Sequence, residues 1–155
     1  MIKGDVRMDE LIKELNNDLK VLNTDRVGDE YEIHIEYIPE HVTYCPSCGQ
    51  AATRQHSWKI RRIGDLPVYN HKVSLMIHRR QFFCDNKDCS RKIVTEKFDF
   101  VSSTGRRTKR LDEHLLDMAK TMSAIGEERV VRKNVANVSN DTILRMVKKN
   151  STNKT

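Results

Sequence analysis

The chain has 155 residues, 37% of them apolar and 6% aromatic, which allows one ordinary domain or two small ones but is lean for a single large core. No apolar run approaches the roughly 20 residues that span a bilayer, and the N-terminus lacks the apolar segment of a signal peptide, so we expect a soluble, cytoplasmic protein without a membrane partner. The formal net charge is +6, but residues 45–110 carry 15 Lys and Arg against 5 Asp and Glu, whereas residues 1–44 carry 5 against 11. A basic segment of this kind favours a polyanionic partner, nucleic acid first, over a merely solvated surface.

The N-terminal region, residues 1–40, reads as a helix followed by a strand. Apolar residues recur at steps of three and four from Met8 to Leu22, which predicts an amphipathic helix. Its other face is acidic, so we expect it to pack on its own domain or on a second subunit rather than on DNA, and a homodimer stays open. A turn-rich break over residues 23–29 precedes a strand from Tyr31 to Tyr37, where apolar and polar residues alternate.

All four cysteines lie in residues 41–98, as Cys45-Pro-Ser-Cys48 and as the looser pair Cys84 and Cys89. Two local pairs can complete the tetrahedral sulfur site that Zn²⁺ prefers. The alternatives are two disulfides or four unrelated thiols, and the local pairing with a reducing compartment favours zinc. His56 could replace one cysteine, but it lies far from either pair. We therefore predict one structural zinc ion in a small β-rich, zinc-ribbon-like finger.

The segment between the cysteine pairs is expected to form strands that return the chain to its start. We predict a strand over residues 52–63 with Trp58, Ile60 and Ile63 in the core, and a turn at 64–67. Val73, Leu75 and Ile77 alternate on the next strand, with the two strands joined near Asn70 and His71.

Residues 99–110 are polar and basic and are expected to form a linker with a flexible middle. Arg106, Arg107, Lys109 and Arg110 place four positive charges in five residues. Such an arm can lie along phosphates or enter a minor groove of DNA. A solvated linker is the competing interpretation.

Residues 111–150 have the periodicity of three short helices, over 111–122, 127–135 and 139–149, followed by a polar tail at 151–155. Ile125 and Gly126 are expected to interrupt the first helix and so separate it from the second. Val130 and Val131 are expected to face inward on the second helix. Ser139 is a suitable N-cap for the third, on which Ile143, Leu144 and Val147 are expected to face inward. This layout is typical of a helix-turn-helix, although plain interaction domains also use it. The candidate DNA-contacting residues of the third helix are Asn140, Thr142, Arg145, Lys148 and Lys149. The fold class predicted for the whole chain is therefore α+β.

The order of these motifs resembles the N-terminal part of bacterial insertion-sequence transposases of the ISL-three type over roughly residues 31–150. The resemblance is carried by Cys45-Pro-x-Cys-Gly49, His56-Ser57, Asp65-Leu66-Pro67, Arg79-Arg80-x-Phe82-x-Cys84, Cys89, Thr95-Glu96-Lys97-Phe98, Arg107-Thr108-x-Arg110-Leu111 and Ser139-x-Asp141-Thr142-x-Leu144-Arg145. It implies a four-cysteine zinc finger, a helix-turn-helix and, in full-length relatives, a DDE nuclease domain.

By this resemblance, the expected function is recognition of the terminal inverted repeats of a mobile element, with double-stranded DNA as partner and no small-molecule substrate. The chain stops at Thr155, so we expect a binder without catalytic residues rather than an enzyme. A zinc-stabilised protein-interaction module and a stand-alone transcriptional repressor are the alternatives.

Overall fold

The computed structural model describes the backbone of residues 3–102, 105–121 and 124–152, and the side chains of 8–102, 105–121, 129–139 and 141–152. The elements in chain order are α1 (Lys3–Lys13), β1 (Leu19–Val27), β2 (Glu30–Tyr37), β3 (Thr43–Tyr44), β4 (Ala51–Ala52), β5 (Gln55–Val68), β6 (His71–Phe83), β7 (Ile93–Thr95), α2 (Lys109–Thr121), α3 (Ala124–Asn134) and α4 (Asn140–Thr152). The protein is thus α+β with a sheet-rich body. Within the described ranges, no helix is long and apolar enough to cross a membrane.

The chain forms two compact units. The first comprises residues 1–24, 33–62 and 75–99, and the second comprises residues 25–32, 63–74 and 100–155. The main sheet has the strand order β1-β2-β6-β5. β7 pairs with β6 in antiparallel fashion, with Phe82 opposite Val94. β3 and β4 form a separate two-stranded sheet.

The N-terminal helix is shorter than the sequence predicts. α1 ends at Lys13, and β1 begins at Leu19. The side-chain oxygen of Asn16 accepts a hydrogen bond from the backbone N–H of Asp18 at 2.7 Å, which turns the chain between the two elements. The helix predicted through Leu22 is therefore wrong beyond residue 13, and most of the break predicted over 23–29 belongs to β1.

The strands between the cysteine pairs are longer than predicted. β5 runs through residues 64–67, so the turn predicted there is wrong; the chain reverses instead at Tyr69 and Asn70. β5 lies at the edge of the sheet, where a proline such as Pro67 is tolerated because no ladder hydrogen bond needs its missing N–H.

The predicted core of these strands is confirmed only in part. Ile63 is buried, as are Val73, Leu75 and Ile77 on β6. Trp58 and Ile60 are 45% and 50% exposed, which contradicts their assignment to the core. Both residues lie on β5, the edge strand of the main sheet.

The core of the second unit is shared by the three C-terminal helices and the turn that precedes α4. Its buried residues are Leu111, Leu115, Val131, Val135, Ala136, Val138 and Ile143, and Leu66 of β5 packs against them. Ser139 caps α4, because its hydroxyl oxygen accepts a hydrogen bond from the backbone N–H of Thr142 at 3.3 Å.

Several details of the helices differ from the prediction. Val130, Leu144 and Val147 are exposed rather than inward, and Met146 packs against the core instead. Residues 125 and 126 lie within α3 rather than interrupting it. The predicted end of the first helix, Met122, lies outside the described residues.

The segment expected to be a flexible linker is ordered over residues 105–110. The backbone N–H of Gly64 donates to the carbonyl oxygen of Arg106 at 2.9 Å, and the N–H of Thr108 donates to the carbonyl oxygen of Gly64 at the same distance. An added Cβ at Gly64 would lie 3.5 Å from a methyl group of Leu111, so β5 and the start of α2 approach closely here. The middle of the segment, Ser103 and Thr104, lies outside the described residues.

Candidate metal centre

The first cysteine pair is held by a small hairpin. β3 and β4 pair with Thr43 opposite Ala52 and Tyr44 opposite Ala51, and the loop between them carries Cys45 and Cys48. The backbone N–H of Cys45 donates to the carbonyl oxygen of Gln50, and that of Gly49 donates to the carbonyl oxygen of Cys45, both at 2.8 Å. Gly49 has φ of 76°, a left-handed conformation that glycine adopts without steric cost. The loop thereby directs two thiols to one point.

The second pair is placed by the end of β6. Cys84 follows Phe83, and its backbone N–H donates to the carbonyl oxygen of Lys92 at 2.9 Å. The N–H of Cys89 donates to the carbonyl oxygen of Asn86 at 3.1 Å, which closes the loop between the two cysteines. Arg91 ties this loop to the first, because its Nε donates to Ser47 Oγ at 2.9 Å.

The four thiols meet in one cluster. The Sγ atoms of Cys45, Cys48, Cys84 and Cys89 all lie within 4.8 Å of one another. Cys45 Sγ is 3.9 Å from Cys89 Sγ, and Cys48 Sγ is 3.6 Å from Cys84 Sγ. A tetrahedral zinc ion with bonds of 2.3 Å separates its sulfur ligands by about 3.8 Å. The cysteines are free rather than disulfide-bonded, and the cluster fits Zn²⁺.

The electrostatics of the cluster also favour a bound cation. Burial alone would raise the pKa of the Cys45 thiol, but hydrogen bonds from the backbone N–H groups of Cys48 and Ser47 lower it to about 6. A backbone hydrogen bond from Asn86 lowers the pKa of Cys84, yet burial and the neighbouring sulfur atoms raise it to about 12. Four thiolates cannot share this volume unless a positive ion offsets their repulsion. A bound Zn²⁺ supplies that charge.

The role of the metal in this unit is structural. The local core consists of Cys45, Cys84 and Cys89 together with Ala52, Phe82 and Val94, so half of its buried residues are ligands. Four sulfur ligands close the coordination sphere and leave no open position for a reacting water. His56 is not part of the cluster: its Nδ1 lies 2.7 Å from Ser57 Oγ, and its ring packs on the edge of Phe83.

This site defines a four-cysteine zinc ribbon, and the comparisons with known proteins agree. Residues 41–89 match the family model described as the zinc-finger of transposase IS204/IS1001/IS1096/IS1165. The transposase for insertion sequence element IS1001 of Bordetella parapertussis is 34% identical over 44 residues, which is 28% of this chain and 11% of that protein. No solved structure matches the chain. Residues 41–89 are therefore similar to the zinc-finger region of ISL-three type transposases, and the match spans about a tenth of the length of that curated relative.

The basic residues predicted as a DNA-binding arm divide into two kinds. Arg106 and Lys109 are exposed. Arg107 is largely buried, and its Nε lies 2.5 Å from Asp112 Oδ1. Arg110 forms an ion pair with Asp65, and its Nε donates to Asp65 Oδ1 at 2.8 Å. Two of the four charges are thus neutralised within the unit.

The predicted residues of α4 are mostly on its open surface. The Arg145 side chain is 81% exposed and lies 4.0 Å from Asp141 of the preceding turn, a contact weak enough to be given up on binding. Lys148 and Lys149 are also exposed. The Thr142 hydroxyl lies 3.1 Å from Ser139 Oγ in the helix cap. The side chain of Asn140 lies outside the described residues.

Two features of the fold were missed from the sequence. Asp65 is a buried carboxylate that accepts hydrogen bonds from Thr108 and Arg110, whereas the sequence predicts only a turn over residues 64–67. Lys59 and Arg62 lie exposed on the edge strand β5, which also carries the exposed Trp58. The run Lys59-Ile-Arg-Arg62 indicates a basic segment in the sequence. The position of β5 at the edge of the sheet depends on contacts between residues that are distant in sequence.

Proposed function

We propose that this chain is the DNA-recognition part of an insertion-sequence transposase and that it binds the terminal inverted repeats of a mobile element. The observation that carries the proposal is the four-cysteine cluster in the segment that matches the zinc finger of such transposases. The positive charge of residues 45–110 is the second support, because duplex DNA attracts clustered Lys and Arg and releases counterions on binding.

In this proposal, α3 and α4 act as a helix-turn-helix. α3 ends at Asn134, residues 135–139 form the connection, and α4 begins at Asn140 under the Ser139 cap. Val131, Val138 and Ile143 pack together and fix the two helices against one another. The exposed side chains of α4 would enter the major groove, where an arginine can pair bidentately with guanine.

The basic segment before α2 has a separate role. Arg106 and Lys109 are exposed and suited to phosphate contacts, which position a protein on DNA without reading its sequence. Arg107 and Arg110 hold that segment in place through Asp112 and Asp65. We assign no DNA cleavage to the described residues. The four-cysteine site is closed, and strand transfer by DDE enzymes needs carboxylates that converge on two divalent metals.

The proposal predicts different effects for the two classes of basic residue. Arg145→Ala should cost about 1–3 kcal/mol of binding free energy and relax the preference at one base pair, because it removes a base contact. Lys109→Ala should weaken binding to all sequences alike and reduce the dependence of affinity on salt. Fluorescence anisotropy with labelled duplexes over a range of salt concentrations measures both.

Lys120→Ala is the matched control, because Lys120 is exposed near the C-terminal end of α2 and pairs with Asp117. It should bind like the wild type. If Arg145→Ala left sequence preference intact, α4 would not be the reading helix. An affinity independent of salt would instead favour the protein-interaction module.

A further inference from the structure

The hairpin formed by β5 and β6 ends in an unusual turn in the second unit. The turn residues Tyr69 and Asn70 have φ of 50° and 62°, both in the left-handed region. Asparagine and glycine adopt this conformation readily in two-residue hairpin turns, whereas a bulky aromatic residue is strained there. The Tyr69 side chain is 83% exposed, so its ring adds almost nothing to the core. The needs of folding therefore do not explain a tyrosine at this position.

The hairpin is fixed to the helices of the same unit. Asp65 accepts hydrogen bonds from Thr108 Oγ1 at 2.7 Å and Arg110 Nε at 2.8 Å, and Leu66 packs in the helical core. Nearer the turn, Lys72 Nζ donates to Asn137 Oδ1 at 2.6 Å. Asn137 belongs to the connection immediately before α4. These contacts hold the end of the hairpin beside the start of α4.

The chemistry presented there suits a phosphate backbone. Residues 66–73 include Lys72 and no acidic residue. A tyrosine hydroxyl and a lysine ammonium are both common donors to DNA phosphate oxygens. An aromatic residue kept in a strained turn and pointed at solvent is typical of a functional site.

We propose that the end of the β5–β6 hairpin is a wing that contacts duplex DNA next to the segment read by α4, with the Tyr69 hydroxyl donating a hydrogen bond to a phosphate oxygen. The inference rests on the proposed function, because it takes α4 as the reading helix. It adds a second point of contact outside the helices and the basic segment. Such a contact fixes the register of α4 on the duplex without reading bases.

The wing predicts opposite effects of one substitution on stability and on binding. Tyr69→Asn places a residue suited to the turn and should raise the Tm by about 2 °C. The same change replaces the phenolic hydroxyl with the amide of a much shorter side chain that does not reach the same phosphate, and it should weaken DNA binding about tenfold, the value of one hydrogen bond to a charged group. Tyr69→Phe, which removes only the hydroxyl, should weaken binding similarly without altering the turn. Because tyrosine is uncharged, the dependence of affinity on salt should stay the same in both variants.

Two controls match these variants. Asn70→Gly changes the turn but keeps Tyr69, and glycine is also suited to this position, so the variant should bind like the wild type. Tyr44→Phe removes the hydroxyl of another exposed tyrosine and should change neither quantity. The measurements are thermal unfolding by circular dichroism and anisotropy with a labelled duplex that the wild-type chain selects from random DNA. Hydroxyl-radical footprinting should show that the Tyr69 variants lose protection on one flank of the DNA segment read by α4, whereas the two control variants keep it.

If Tyr69→Asn and Tyr69→Phe bound and protected the duplex as the wild type does, the wing would be refuted and the proposed function would stand. If the wild-type chain retained no duplex, the proposed function itself would fail, and the wing with it.

Discussion

At the scale of single residues, Asp65 joins the strand and helix parts of the second unit. Its side chain is 3% exposed and faces the guanidinium of Arg110, which is 23% exposed. The hydroxyl of Thr108 donates to the same carboxylate, and Thr108 is itself buried. A buried carboxylate with these partners is satisfied, and removal of one member of such a buried ion pair is strongly destabilising.

Asp65→Ala should therefore lower the free energy of unfolding by about 3 kcal/mol, because it removes the ion pair with Arg110 and the hydrogen bond from Thr108 inside the unit. Urea unfolding followed by helix circular dichroism measures the loss. Asp117→Ala is the control, since the exposed pair of Asp117 and Lys120 in the same unit should contribute less than about 1 kcal/mol. Equal losses in the two variants would show that the Asp65 contacts do not stabilise the unit.

At the scale of elements, the zinc ribbon depends on its metal for a core. Three of the six buried residues of its apolar cluster are cysteines, and the hairpin of β3 and β4 has only two residues in each strand. So small a hairpin is not stable by itself in water. The zinc ion supplies the links that hydrophobic packing cannot provide there.

Removal of zinc with a chelator should therefore unfold residues 41–54 and 84–95 rather than loosen them. In hydrogen exchange, the amides of Cys45, Gly49 and Cys84 should lose protection, because their hydrogen bonds depend on the two cysteine loops. The amide of Leu115 in α2 should keep its protection, since the core of the second unit contains no ligand. Unchanged exchange at Cys45 and Cys84 after complete chelation would contradict a structural role for the metal.

The elements also show how far the sequence predicts this fold. Cysteine spacing indicates the zinc site, and strict alternation indicates β2 and the inner face of β6, because both signals are local. The extended N-terminal helix was wrong because Leu19 and Leu22 continue a spacing of three and four by coincidence, while Asn16 turns the chain. Gly64 and Pro67 indicated a turn, but Gly64 lies in a strand where Arg106 and Leu111 approach it, and no local pattern shows a contact over that distance.

The site residues likewise could be predicted only where the signal is local in the sequence. The metal ligands could be named from the sequence, whereas the roles of Arg107 and Arg110 depend on Asp112 and Asp65 in the folded unit. The basic run from Arg106 to Arg110 predicts an arm with four positive charges that are all available to DNA. The structure leaves Arg106 and Lys109 exposed and uses the other two in ion pairs.

At the scale of the whole molecule, the two units contain different features of the proposed function. The first unit contains the zinc ribbon, whose counterpart occurs in insertion-sequence transposases. The second contains the capped helix α4 and the hairpin that ends at Tyr69. Together they provide a metal-stabilised scaffold and the basic side chains with which the chain is proposed to read DNA.

The most direct test of the central claim is to sequence the duplex fragments that the pure zinc-loaded chain retains from a random pool. If this chain recognises the ends of a mobile element, one sequence should be enriched, and Arg145→Ala should lose the preference at a single position of that sequence. Retention of no duplex, or of duplexes without any shared sequence, would contradict the proposal that this chain recognises the ends of a mobile element.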